Sequence, residues 1–132
     1  MFLLIQPGKV TLRTNDDELE LKPMQNLVGE EGDSASVEYV YQLFSDPNID
    51  LVCDDEFLFK SFPPTCVVGN IKNIDEIIVL CGNVLAVATT PDGKTIGLTQ
   101  QQVDIVLDSL LVVIKESDNK LTTVKARQVY QS

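Results

Sequence analysis

Apolar positions along the chain recur mostly at a spacing of two, in short runs cut apart by turn formers. FLLI (2–5) is an apolar run stopped by Pro7-Gly8, the pattern of a short buried strand. KVTLRT (9–14) sets Val10 and Leu12 on one face and Thr11 and Arg13 on the other. LELK (19–22) alternates again after the turn signal Asn15-Asp16-Asp17, so residues 9–22 are expected to pair as a hairpin. Pro23 suits the first turn of a short helix, PMQNLVG (helical near 23–28), which Gly29 can end.

GEEGDSAS (29–36) is a polar loop, and VEYVYQLF (37–44) fits both periods. Its β-branched and aromatic content, with SDPN following, favours a strand whose hairpin partner is IDLVC (49–53). DDE (54–56) is a tight turn, FLFK (57–60) and TCVVG (65–69) are short strands, and IKNID (71–75) is a connection. In EIIVLCGNVLAVATT (76–90), Gly82 marks a bulge or turn between two strand segments. Pro91-Asp92-Gly93 turns the chain into KTIGL (94–98).

The period changes at LTQQQV. Thr99 is an N-cap, Gln102 completes a capping box, and Leu98 with Val103 form a hydrophobic staple. Val103, Val106, Leu107, Leu110, Val113 and Ile114 then recur at three and four, predicting an amphipathic helix from about 100 to 111 or 114. Ser117-Asp118-Asn119 is a turn, and LTTVKARQVY (121–130) reads as a last strand at an edge. The sum is a single α+β domain over 1–132: a mainly antiparallel sheet of short strands, the long helix on one face, and the short helix near its start.

Charge changes this picture by being uneven. Net charge is −10; residues 1–60 hold 13 acids against 4 bases, and residues 61–132 hold 7 against 6. Such a balance opposes direct binding to nucleic acid or to an anionic membrane, and it suits a protein partner with a basic surface. The opening MFLLIQPGK is too short in apolar residues for a secretory signal, and no later run approaches a membrane span. With three cysteines and no such signal, a cytoplasmic, reducing location is expected, with thiols buried and inert.

Histidine is absent, which removes imidazole bases, Ser-His and Cys-His nucleophile pairs and His-containing zinc sites. Cys53, Cys66 and Cys81 are one thiolate short of a Cys-only zinc site. Asp54, Asp55 and Glu56 are consecutive, so strand geometry sends them to opposite faces and not around one cation. GEEGDS carries acids where a phosphate loop needs donors. No catalytic residue, metal site or cofactor is therefore expected.

Several motifs, in order, resemble a family of small uncharacterised proteins from phages, plasmids and bacterial genomes, classed as a domain of unknown function. Gln25-Asn26-Leu27-Val28-Gly29 is similar to its short helix and turn, and Val37-Glu38-Tyr39-Val40 to its next strand. Asp54-Asp55-Glu56 followed by Leu58-Phe59-Lys60 resembles its acidic turn, Pro63-Pro64 its proline segment, and Gly82-Asn83-Val84-Leu85-Ala86-Val87 its closing strand. The resemblance spans 24–102, leaving GEEGDSAS as an insertion and 103–132 as a helix-strand extension. It implies a bacterial or mobile-element origin and brings no active-site residues.

Two functions follow as expectations. The first is a non-enzymatic acidic interaction protein that modulates or inhibits a basic, nucleic-acid-handling partner through Asp54, Asp55, Glu56, Glu30, Glu31 and Asp33. The second is a small-molecule or nucleotide-binding module that uses the helix start at Thr99 with Lys125 and Arg127 from the tail. Assembly of a homo-oligomer through exposed edge strands is compatible with either.

Overall fold

The computed structural model describes residues 1–29, 36–56, 62–69, 77–117, 120–125 and 129–131. The first strands are β1 (Phe2–Gln6), β2 (Lys9–Arg13), β3 (Val37–Val40), β4 (Ile49–Asp54), β5 (Pro64–Gly69) and β6 (Ile77–Cys81). The later ones are β7 (Val84–Thr89), β8 (Thr95–Ile96), β9 (Leu110–Ser117), β10 (Lys120–Lys125) and β11 (Val129–Gln131). Two helices, α1 (Leu21–Val28) and α2 (Gln100–Ser109), and a 3-10 turn at Asp16–Leu19 complete an α+β fold.

The larger sheet runs β11-β2-β1-β7-β4-β3, with β8 added beside the end of β7; the smaller runs β10-β9-β5-β6. Neighbours are antiparallel throughout, apart from β11 on β2. Strand alternation splits the larger sheet between two cores. Leu3, Ile5, Leu51, Cys53, Val84 and Ala86 share one cluster with Cys66, Val68, Leu80 and Val112 of the smaller sheet and Val103 and Val106 of α2. Phe2, Leu4, Val52, Leu85 and Val87 share the other with Met24 and Val28 of α1. Burial on both faces explains the unbroken apolar runs of β1 and β7, because neither side chain direction meets water.

Two glycines carry the chain through its tightest points. Gly82 has φ +74, and a Cβ there would lie 2.6 Å from Phe62 Cδ2, so any other residue would be strained and press on Phe62 where the chain passes from β6 in one sheet to β7 in the other. At Gly97, a Cβ would lie 2.6 Å from the Met1 nitrogen, where the amino group pairs with Asp16 Oδ1 at 2.7 Å. The stretch 76–90 is thus two strands of different sheets.

Three local expectations change. Residues 19–22 form no strand: Asn15 accepts from the Asp17 N–H (3.2 Å), and Leu19 is buried in the 3-10 turn that leads into α1. The hairpin is instead β1–β2, closed by Pro7 and by Gly8 at φ +72, as a turn needing a positive φ requires. Helix α2 stops at Ser109, short of 111 or 114. Leu110, Leu111 and Val112 pair with Val68, Val67 and Cys66, a use of β-branched and apolar residues that gains more than another helical turn. The tail 121–130 divides, with β10 in the smaller sheet and β11 in the larger. The strand expected at 57–60 and the connection at 71–75 lie outside the described residues.

The capping box forms as the sequence indicates. Thr99 Oγ1 accepts from the Gln102 N–H (3.2 Å), and Gln102 Oε1 accepts from the Thr99 N–H (2.9 Å). Leu98 and Val103, the staple pair, are buried in one cluster. Replacing Thr99 by alanine is expected to cost about 1 kcal/mol, read as a lower urea midpoint with an unchanged slope.

Candidate functional site

The acidic turn sits at the end of a strand pair whose register places its charges. Val37 lies opposite Asp54 and Glu38 opposite Cys53. Asp54 itself is fully buried (0% exposed), and its Oδ1 accepts the Glu56 N–H at 2.9 Å, which closes the turn. The Asp55 N–H donates to the Ser36 carbonyl at 2.9 Å, tying the turn to the start of β3. Asp54 therefore shapes the site from within, while Asp55 and Glu56 face solvent.

Glu38 joins them, and sequence reasoning missed it. The available signal was register: once 37–44 pairs with 49–53, Glu38 must lie beside the end of β4. Burial pushes the Cys53 thiol up to about 12, and the negative charges of Glu38, Asp54 and Asp55 act in the same direction. Among the described residues the ion pairs are Met1–Asp16 and Arg13–Glu18, both near the 3-10 turn. Neither touches Glu38, Asp55 or Glu56, whose exposed carboxylates have no described cation beside them.

The remaining expected residues are placed differently. Glu30, Glu31, Asp33 and Arg127 lie outside the described residues. Thr99 opens α2 with its hydroxyl oxygen engaged in the cap, whereas Lys125 is exposed on β10 opposite Leu111, beyond the helix's other end. Ten residues of helix, about 15 Å, separate those two ends. Thr99 and Lys125 are not brought together.

A second polar cluster lies within the larger sheet, and sequence reasoning missed this one too. Asp50 is 2% exposed and stands across from Val87 on the face that packs against α1. Its Oδ2 accepts the Thr89 hydroxyl at 2.5 Å, and its Oδ1 is buried with no hydrogen-bond partner. Thr89 pairs with Thr95, whose hydroxyl is 2.6 Å from that of Tyr39, itself stacked on Tyr41. Desolvation raises the Asp50 carboxyl above its ordinary range, and the Thr89 hydrogen bond offsets part of that rise. The signal in the sequence was an acid between Ile49 and Leu51 in a buried run.

Cys53 and Cys66 occupy the core between the sheets, and burial pushes the Cys66 thiol, too, up to about 12. No group of three or more acidic or cysteine side chains among the described residues could hold a metal ion. No helix among them is long and apolar enough to cross a membrane.

Residues 1–111 match the family model described as Domain of unknown function (DUF3846). The chain belongs to this family. The match is wider than the 24–102 span expected from motifs and takes in β1, β2 and α2, whose residues belong to the two cores. No curated protein and no solved structure matches the chain.

Two measurements check this site. Because the folded Asp50 carboxyl titrates above its unfolded value, the unfolded chain loses its proton first as pH rises. The stability tied to this group is whole below the unfolded value and is lost as pH climbs through the folded one. Asp50→Asn should therefore unfold at higher urea than the parent at about pH 7, the margin shrinking as pH falls toward 3.8. For the thiols, a disulfide reagent at about pH 8 should modify half-buried Cys81 in the native protein, and Cys53 and Cys66 only after unfolding.

Proposed function

We propose that this chain is a non-enzymatic, acidic interaction protein that binds a basic surface on a protein partner and modulates or inhibits it. The observation that carries the reading is the cluster of Glu38, Asp55 and Glu56 at the β3–β4 end, exposed and with no described cation beside it. Like charges held together repel, so their grouping costs stability unless a partner supplies the opposite charge. Asp104 and Asp108 add to the negative surface, the latter in the last turn of α2, where the helix dipole favours a cation.

The partner is a protein with clustered lysine or arginine, of the kind that handles nucleic acid, and direct binding of the chain to nucleic acid is opposed by its net charge of −10. A cytoplasmic setting in a bacterium or its mobile elements fits the free-thiol cysteines and the family resemblance. Nothing in the arrangement of Thr99 and Lys125 favours the nucleotide-binding alternative.

The test is affinity capture from a bacterial lysate with identification of what is retained. Capture should yield a basic protein whose retention falls as salt rises from about 50 to 300 mM. A variant with Glu38→Gln, Asp55→Asn and Glu56→Gln should bind that protein about tenfold more weakly, chiefly through slower association. Equal binding by the triple variant would sink the reading, as would a partner whose binding is indifferent to salt.

A further inference from the structure

Asp50 takes no part in the acidic turn, which closes the opposite end of β4. It is 2% exposed, and its two oxygens are used unequally. Oδ2 accepts the Thr89 hydroxyl at 2.5 Å, whereas Oδ1 is buried and, among the described residues, accepts nothing. A buried carboxylate with an unused oxygen costs stability, and such local costs mark functional sites.

The groups around Asp50 share its sheet face. Side chains two apart along a strand point the same way, so Asp50 stands with Val52, Thr89 with Val87, and Tyr39 opposite Val52. Thr95 is in register with Thr89 and brings its own hydroxyl. In sheet order β4 and β7 lie between β3 and β8, so the 2.6 Å hydrogen bond of Tyr39 to Thr95 carries the tyrosine across the strands of Asp50 and Thr89. Tyr41 stacks on Tyr39, with ring centroids 6.3 Å apart, and is 60% exposed. It follows Val40, whose partner Leu51 adjoins Asp50, so the exposed ring stands at the Asp50 end of the strand pair.

We infer that Asp50, Thr89, Thr95, Tyr39 and Tyr41 form a binding site for a primary ammonium group on an alkyl chain. The balance of donors and acceptors selects that chemistry. Thr89 gives its proton to Asp50 and keeps its lone pairs, and the Tyr39 and Thr95 hydroxyls share one hydrogen bond and keep theirs. Ionised Asp50 adds acceptor capacity at Oδ1 and one negative charge. An ammonium is the complement: three donors, no acceptor and one positive charge. The tyrosine faces suit both the cation and its alkyl stem. A hard metal ion is a poorer match, since it takes several carboxylate or carbonyl oxygens and this face supplies Asp50 with hydroxyls. Opening the Tyr39–Thr95 hydrogen bond and turning the exposed Tyr41 ring gives the ammonium its way to Oδ1. The site lies at the other end of β4 from Asp55 and Glu56, so its test and that of the acidic surface are independent.

The test follows backbone amide shifts of the nitrogen-15-labelled chain at about pH 7.5 as n-butylammonium chloride is added. Concentrations of roughly 0.5–50 mM cover the affinity of so small a ligand. Signals of Tyr39, Asp50, Thr89 and Thr95 should move and saturate, and n-butanol should leave them in place. Asp50→Asn, expected to be the more stable chain at neutral pH, should bind about tenfold more weakly. Tyr39→Phe, which keeps the ring and loses the hydroxyl, should bind a few-fold more weakly and makes the same test if Asp50→Asn does not fold. A second titration uses Nα-acetyl-lysine methylamide: saturation by both amines assigns the site to a protein's lysine as well as to free amines, and by butylammonium alone to free amines. Unmoved signals with both amines overturn the inference, since Oδ1 is then served by water only. Equal binding by every variant that folds overturns it too, as do shifts that potassium chloride reproduces at equal concentration.

Discussion

Burial of the larger sheet on both faces is the constraint from which the rest of the structure follows. Strands β1, β4 and β7 send Leu3, Ile5, Leu51, Cys53, Val84 and Ala86 to one side and Phe2, Leu4, Val52, Leu85 and Val87 to the other. A sheet that is apolar on both sides needs a cover for each. Helix α1 supplies one, against β7, β4 and the edge strand β3. The second sheet and α2 together supply the other. The chain must therefore leave one sheet for the other more than once, and it does so between β4 and β5, at Gly82, through α2 from β8 to β9, and between β10 and β11.

That constraint also decides where charge can stand. With both faces of the central strands closed, carboxylates are confined to turns, to the ends of strands and to edges. The acidic end of β3 and β4 is the outcome: Asp54 is drawn inside to close the turn, while Glu38, Asp55 and Glu56 remain in water. Asp50 is the exception. A carboxylate within a closed face, with one oxygen partnered by Thr89 and the other by nothing, reduces stability at neutral pH. It is held in place because the residues on either side of it, Ile49 and Leu51, are fully buried core.

The two sheets manage their edges in different ways. The larger has charge at one rim and a three-residue parallel strand at the other. Among the described residues the smaller has lysines on β10 at one rim and the uncharged β6 at the other. Histidine is absent, so imidazole chemistry lies outside what the chain can offer.

By itself the sequence determined the local elements whose causes are local. The capping box at Thr99 and Gln102, the turns at Pro7-Gly8 and Pro91-Asp92-Gly93, the break at Gly82 and the strand period of 9–14 are set by neighbours a few residues apart. Composition likewise determined the acidic balance and removed histidine chemistry. Only the tertiary structure decided what depends on distant partners. LLVVI could continue α2 or pair with β5, and the choice lay with a strand more than 40 positions earlier in the chain. Whether Asp54 faced water, whether Glu38 joined it, and that Asp50 was enclosed all followed from pairing register. Register is a property of two segments at once, and no single stretch of the chain contains it.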